Sequence, residues 1–176
     1  NTRGTVNGTG RIDWTPDAVT STGRLSTDSL DFAAAFGPVK GVSGTVVFTD
    51  LLGLVTAPDQ RLKIASINPG IEARDGEMRF ALLGENRLAI NGATWPFLGG
   101  QLRLEPSRMT FGSVDERRFT LAIEGLDAAQ LVNQLELSNI SASGRFDGTL
   151  PLVFDENGGR IEKGLLLSRG PGNLSY

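Results

Sequence analysis

The stretch VSGTVVFT at residues 42–49 contains the pattern that decides the fold. Val42, Gly44, Val46 and Phe48 occupy the even positions, and serine and threonine occupy positions 43, 45 and 49. Val47 is the one apolar residue out of phase. Side chains point alternately to the two faces of a β-strand, so this spacing predicts a strand with one apolar and one polar face.

The same alternation recurs on both sides of this stretch. It is found at residues 4–15, 62–64, 78–82, 88–92, 102–104, 119–123, 140–146, 150–154 and 164–166. Turn signals rich in Asn, Asp, Pro and Gly separate these segments, at residues 68–70, 75–76, 99–100, 157–159 and 170–172. The pattern indicates about ten to twelve short strands, mostly antiparallel.

A short helix is predicted over residues 127–136. Asp127 is suited to the N-cap position, and Ala128, Leu131, Val132 and Leu135 follow at helical spacing. Residues 29–36 and 50–54 are ambiguous, because each could form a turn of helix or an irregular strand.

These patterns together predict an all-β fold. We expect the strands to form an antiparallel sheet, with residues 1–176 making up one segment. The alternative is a β-sandwich, in which the same apolar residues would pack sheet against sheet.

Glycine is unusually frequent, with 23 of 176 residues, which is about twice the average usage. Eight glycines are in phase with the apolar residues: Gly4, Gly8, Gly10, Gly44, Gly92, Gly144, Gly148 and Gly164. Either they let a strongly bent sheet close its inner side, or they leave room for something apolar that is not protein.

Composition excludes several classes of function. The chain has no His and no Cys, which removes Ser-His and Cys-His nucleophile pairs and ordinary zinc sites. Its formal charge of −3 argues against nucleic-acid binding. The Asp and Glu residues fall mostly on the polar face or in turns, where solvated charge is the usual role. We therefore expect no enzymatic activity, no metal and no cofactor.

Several stretches, taken in order, resemble one protein family. They are ISASGRFDGTLPL at residues 140–152, GGRIEKG at 158–164, GPGNLSY at 170–176, VSGTVVFTDL at 42–51, NPGI at 68–71, WPFLGG at 95–100 and GLDAAQLV at 125–132. The first three resemble the closing block of the YdbH-like family, an AsmA-like family of Gram-negative envelope proteins, and the others fit upstream parts of it.

The resemblance implies a fold, a function and a location. The implied fold is a long antiparallel sheet curled lengthwise into a groove, like a barrel left open along one side. The implied function is non-enzymatic carriage of phospholipid between the inner and outer membranes, with the acyl chains in a hydrophobic groove. The resemblance also implies a periplasmic protein, anchored to the inner membrane by an N-terminal helix outside these residues, of which this chain is the C-terminal part. The alternatives are a structural or adhesive envelope module, and dicarboxylate transport, which an older family label names.

For the site, the resemblance implies an apolar face that lines the lipid groove, and no individual catalytic residues. The predicted lipid-lining residues are the in-phase apolar positions Val6, Ile12, Trp14, Val42, Val46, Phe48, Leu62, Ile64, Met78, Phe80, Leu82, Leu88, Ile90, Leu102, Leu104, Leu121, Ile140, Phe146, Leu152 and Phe154.

The resemblance also implies a partner, a small outer-membrane lipoprotein near the C-terminal end. An open sheet leaves unpaired strand edges, which can accept a strand from another chain. We expect the edge near the C-terminus to be such a site.

Overall fold

A computed structural model of the protein describes residues 2–34, 37–68, 71–112, 116–155 and 158–175. The chain divides into two compact units. Unit 1 comprises Asn1–Ala93 and Pro106–Asp115, and unit 2 comprises Thr94–Glu105 and Glu116–Tyr176.

The described residues form sixteen strands, of two to sixteen residues, and one helix. In chain order these are β1 (Arg3–Gly4), β2 (Asn7–Trp14), β3 (Val19–Ala34), β4 (Gly37–Asp50), β5 (Val55–Thr56), β6 (Gln60–Ile67), β7 (Ala73–Leu82), β8 (Arg87–Phe97), β9 (Gly100–Leu104), β10 (Ser107–Thr110), β11 (Arg117–Asp127), α1 (Ala128–Gln134), β12 (Ser141–Ser143), β13 (Arg145–Asp155), β14 (Gly158–Ile161), β15 (Leu165–Ser168) and β16 (Asn173–Ser175).

Fourteen of the strands belong to one antiparallel sheet. Its main path runs β1-β3-β4-β6-β7-β8-β9-β11-β13-β14, while β2, β5, β10 and β15 pair beside it; β12 and β16 form a separate two-stranded sheet. The prediction of an all-β fold built on one long antiparallel sheet is confirmed, and the β-sandwich alternative is wrong. The strands are more numerous than predicted because segments such as residues 4–15 are interrupted, here between β1 and β2.

In unit 1 the register places apolar side chains of neighbouring strands side by side. Val42 of β4 lies opposite Ile64 of β6, and Leu62 of β6 lies opposite Met78 of β7. Directly opposed residues of an antiparallel pair share a face. We call the face formed by these rows the apolar face of unit 1.

The intervening residues form the opposite, polar face of unit 1. Arg61 of β6 makes an ion pair of 3.3 Å with Glu77 of β7, and Lys63 lies opposite the same glutamate. Asp59 lies 3.8 Å from Arg79 and 4.0 Å from Arg61. The charges in these strands are therefore collected on the side of the sheet away from the apolar rows.

The apolar face of unit 1 continues across a place where the spacing of buried apolar residues along a strand is three instead of two, which we call a step. Val39 and Val42 are three residues apart, yet both are buried, and so are Ile64 and Ile67. Val39 pairs with Ile67, and Val42 pairs with Ile64. The step in β4 therefore lies directly opposite the step in β6. The register of β4 with β6 is continuous through the step, whereas the register of β4 with β3 shifts there, so the step is a β-bulge of β4 against β3.

Gly41 is the residue that allows this step in β4. Its φ is +61, in the left-handed region that favours glycine, and Asp75 in β7 has a φ of 58. The Gly41 N–H donates a hydrogen bond of 2.8 Å to Asp31 Oδ1 of β3. A methyl group added to Gly41 would lie 2.5 Å from Cβ of Ala65 in β6, so the two strands approach too closely there for a side chain.

Unit 2 has the same two-faced construction. Leu102 of β9 lies opposite Ile123 of β11, and Leu121 of β11 lies opposite Leu104 of β9. These rows define the apolar face of unit 2. The register of β11 against β13 then shifts between Ile123 and Leu126, so that Leu126 pairs with Phe146 and remains buried.

Asp147 of β13 stabilises the backbone of β11 where its register shifts. Gly125, at the step, has a φ of +64, and its N–H donates a hydrogen bond of 2.8 Å to Asp147 Oδ1. Arg169 Nε donates to the other carboxylate oxygen at 2.7 Å. The hydrogen bond from Arg169, followed by that from Gly125, lowers the pKa of Asp147.

An apolar residue is also buried on the polar face of unit 2. Val153 of β13 is 1% exposed, and its two cross-strand neighbours are Arg118 and Arg160. Arg118 pairs with Glu162 at 3.2 Å, and Arg160 with Glu116 at 3.2 Å. Arginine side chains held by such pairs can cover an apolar neighbour with their methylene groups while the charged ends stay in water.

The predicted helix is present as α1. Asp127 is its N-cap, with the side chain accepting a hydrogen bond of 3.1 Å from Gln130 N. The Ala128 N–H donates to the Gly144 carbonyl at 3.0 Å, which ties the helix start to the chain just before β13. Of the two ambiguous segments, residues 29–34 continue β3, residues 35–36 lie outside the described residues, and residues 51–54 form a turn.

Replacement of Gly41 tests the close approach of β4 and β6. We expect Gly41→Ala to lower the free energy of unfolding in urea by about 1–3 kcal/mol more than Gly112→Ala does. Both glycines have positive φ, of +61 and +76, but none of the described residues lies within 4 Å of a methyl group added to Gly112. Adding Ala65→Gly should recover most of the difference, and equal losses in the two single variants would contradict the close approach.

The Asp147 carboxylate predicts a pH dependence of stability. Its pKa is lowered on folding, so its contribution is present above the unfolded value of about 3.9 and is lost as pH falls below it. We expect Asp147→Asn to flatten the fall in unfolding free energy below about pH 4. Asp17→Asn, in an exposed turn, is the control; an unchanged slope in Asp147→Asn would contradict the prediction.

Candidate functional site

The predicted lining residues in the middle strands of the sheet are largely covered. Those that are buried are Val42, Phe48, Ile64, Phe80, Ile90, Leu102 and Phe154. Those that are half-buried are Val46, Leu62, Met78, Leu82, Leu88, Leu104, Leu121, Ile140, Phe146 and Leu152. The structure therefore brings the lining candidates of each unit's central strands onto a shielded surface.

Three predicted lining residues lie in the open instead. Val6 is 51%, Ile12 43% and Trp14 73% exposed. Val6 precedes β2, and the other two lie in β2, which pairs with β3 on one side only among the described strands. Ile140 also departs from the expected continuous strand, because it precedes β12, which pairs with β16 rather than with the main sheet.

Leucine side chains occupy the space beside several in-phase glycines. Gly44 pairs with Leu62, and a methyl group added to the glycine would lie 2.8 Å from Leu62 Cδ2. Gly148 pairs with Leu166 in the same way, at 2.5 Å. At these glycines the expectation of room for a non-protein group is wrong, because the leucine of the neighbouring strand fills the gap.

A turn leucine fills a further gap in unit 1. Gly10 and Gly23 lie opposite each other in β2 and β3, and methyl groups added to them would lie 2.9 and 3.0 Å from Leu51 Cδ2. The turn that carries Leu51 is fixed by Ser21, whose hydroxyl donates to Asp50 Oδ1 at 2.6 Å and accepts from Leu52 N at 2.9 Å. Leu51 therefore lies over these two strands.

The alternation missed buried residues that follow a step. Val39, Ile67 and Leu126 are 3%, 5% and 4% exposed, but each lies three residues from another buried apolar residue rather than two. The usable signal was this three-residue spacing, because an apolar pair at that distance within a strand indicates a bulge.

Trp95 was also not among the predicted lining residues. It is 4% exposed, and its Nε1 has no hydrogen-bond partner among the described residues. A buried donor without an acceptor costs about 1–3 kcal/mol. No sequence signal distinguishes such a nitrogen from that of an ordinary core tryptophan.

Two cavities of about 450 and 420 Å³ lie away from most of the lining candidates. Charged and polar residues make up six of the seven lining residues of the first cavity and four of the eight of the second. The first is lined by Arg3, Gly4, Thr5, Asn7, Asp28, Ser29 and Asp31, and the second by Gly41, Ser43, Lys63, Ile64, Ala65, Asp75, Gly76 and Glu77. Each combines one cation with two carboxylates, so neither is electrically suited to a dianion.

No group of three or more acidic side chains in the described part of the chain could hold a metal ion. That part of the chain also contains no helix with the length and apolarity needed to cross a membrane.

Comparison with known proteins identifies the family of this chain. No curated protein and no solved structure matches the chain. The family model named YdbH-like, described as intermembrane phospholipid transport protein YdbH, matches residues 1–176. The match covers the whole sequence, including both two-faced units, and the chain therefore belongs to the YdbH-like family.

Proposed function

We propose that this protein binds phospholipid acyl chains on its apolar faces and so takes part in phospholipid transport between membranes, without catalysis. The observation that carries the proposal is the separation of side chains by the cross-strand register. In each unit apolar rows lie on one face, while ion pairs such as Arg61–Glu77 and Arg103–Glu124 lie on the other. The family to which the chain belongs is described by the same activity.

The energetics of lipid transfer favour such a surface. Exposing an acyl chain to water costs about 0.8 kcal/mol per CH₂ group, or roughly 25 kcal/mol for two chains of about 16 carbons. An apolar face offsets most of this cost, and it needs no specific contacts to do so. Flexible leucine side chains such as Leu62 suit this role because they can move aside as a chain slides past.

Dicarboxylate transport is less well supported. A small dianion needs more than one cation, or several aligned N–H donors, within one cavity. The cavity at Lys63 also contains Asp75 and Glu77, and the one at Arg3 contains Asp28 and Asp31. A dicarboxylate would therefore meet more negative than positive charge in both.

We further propose that the protein works in the periplasm, as the C-terminal part of a larger envelope protein held at the inner membrane by an N-terminal helix. Family membership supports a place between two membranes. A small outer-membrane lipoprotein is proposed to add a strand at the outer edge of β14 and β15. Both strands pair with β13, and Leu165, Leu166 and Leu167 of β15 are 52–58% exposed.

Glutamate substitution on the two faces tests lipid binding. We expect Val46→Glu, on the apolar face, to lower bound phospholipid by about tenfold or more, because a carboxylate beside acyl chains is strongly unfavourable. Thr45→Glu, its exposed neighbour on the polar face, should bind as the unchanged protein does. Phe80→Glu and Ile90→Glu carry the same expectation as Val46→Glu.

Bound lipid is measured by native mass spectrometry after incubation with phospholipid vesicles, and thermal unfolding shows that each variant is folded. Equal lipid occupancy in folded Val46→Glu and Thr45→Glu would contradict the proposal. A chain that remains empty in every preparation would favour a structural role instead.

Truncation tests whether the lipoprotein binds at the edge formed by β14 and β15. We expect deletion of residues 166–176, which removes most of β15, to abolish co-purification of the lipoprotein. Deletion of residues 173–176 leaves β15 intact and should leave binding unchanged. Binding that survives the longer deletion would contradict strand addition at this edge.

A further inference from the structure

Trp95 places a hydrogen-bond donor within the apolar face of unit 2. The side chain is 4% exposed, and no acceptor for its Nε1–H lies among the residues that the structure describes. A neutral indole can donate one hydrogen bond and accept none. Buried donors in folded proteins nearly always have an acceptor, so this nitrogen requires one.

The position of Trp95 follows from the turn after it. Leu98 and Gly99 have φ of 46 and 74, which is typical of a two-residue turn that pairs its flanking strands directly. This turn joins β8 to β9, and a two-residue turn between Phe97 and Gly100 places Trp95 opposite Leu102, which in turn lies opposite Ile123. The indole therefore belongs to an apolar row of three buried side chains.

We propose that the Trp95 N–H donates a hydrogen bond to an ester carbonyl of a bound phospholipid, and so fixes the depth at which the lipid lies on this face. The inference rests on the proposed function. Nε1 is covered by protein atoms, so the carbonyl reaches it by displacing a covering side chain.

The ester carbonyl is the acceptor that fits these surroundings. It is uncharged and is bonded directly to the acyl chain, so it enters an apolar surface together with the chain. A phosphate would bring a full charge into the same place, which is far more costly. Arg103, next to Leu102 in β9, is on the other face, where it pairs with Glu124 at 2.9 Å.

A competition between ester and ether lipids tests the hydrogen bond. The protein is incubated with vesicles that contain equal amounts of a diester and a diether phosphatidylethanolamine, and bound lipid is identified by native mass spectrometry. The diether lipid has the same headgroup and chains but lacks the carbonyls. We expect the unchanged protein to enrich the diester lipid about threefold to tenfold, the usual effect of one hydrogen bond.

Two variants separate the hydrogen bond from the ring. Trp95→Phe keeps an aromatic ring and removes the N–H, so it should bind both lipids with no preference. Trp14→Phe alters the other tryptophan, which is 73% exposed, and should keep the preference. Since the chain has two tryptophans, Trp95 is the only one left in Trp14→Phe, and its fluorescence should shift to longer wavelength with the diester lipid alone.

The outcomes distinguish this inference from the proposed function. Lipid binding without ester preference, or a preference that persists in Trp95→Phe, overturns the role of Trp95 and leaves lipid binding intact. If Trp95→Phe does not fold, equal fluorescence shifts with both lipids in Trp14→Phe overturn it instead. Failure to bind either lipid overturns the proposed function, and the inference with it.

Discussion

Each strand of this sheet has to meet its neighbours with its apolar side chains on the same face, because a shift of one residue would exchange the two faces. Rows such as Val42 with Ile64, and Leu102 with Ile123, satisfy this condition. The ion pairs on the opposite face depend on it as well. A one-residue slip of β6 against β7, for example, would separate Arg61 from Glu77 and move Arg61 toward the apolar rows.

The steps at Gly41 and Gly125 show how apolar side chains stay on one face where a strand is irregular. In both places a glycine with positive φ lies at the step, and an aspartate from a neighbouring strand accepts its N–H. Asp31 and Asp147 accept hydrogen bonds from backbone N–H groups that regular strand pairing leaves without an acceptor. Apolar residues on both sides of each step are buried as a result.

This construction explains how one large sheet can shield apolar residues and still offer an apolar surface. Leu62 and Leu166 lie over Gly44 and Gly148, so the surface is lined by side chains that can rotate rather than by fixed backbone. A surface of this kind suits acyl chains, which differ in length and have no directional groups along their chains. The few directional contacts then matter most where a polar atom such as Trp95 Nε1 interrupts the apolar rows.

Local patterns in the sequence were enough to predict the strands, the two faces and the helix after Asp127, because alternation and N-capping act between residues close in the chain. The absence of His and Cys likewise limited the chemistry without reference to the fold. The three-residue spacing of Val39 and Val42 indicates an irregular strand, but only the register with the neighbouring strands shows which strand carries the bulge. Which leucine fills which glycine, and whether the indole of Trp95 has an acceptor, depend on strands far apart in sequence, and only their register decides them.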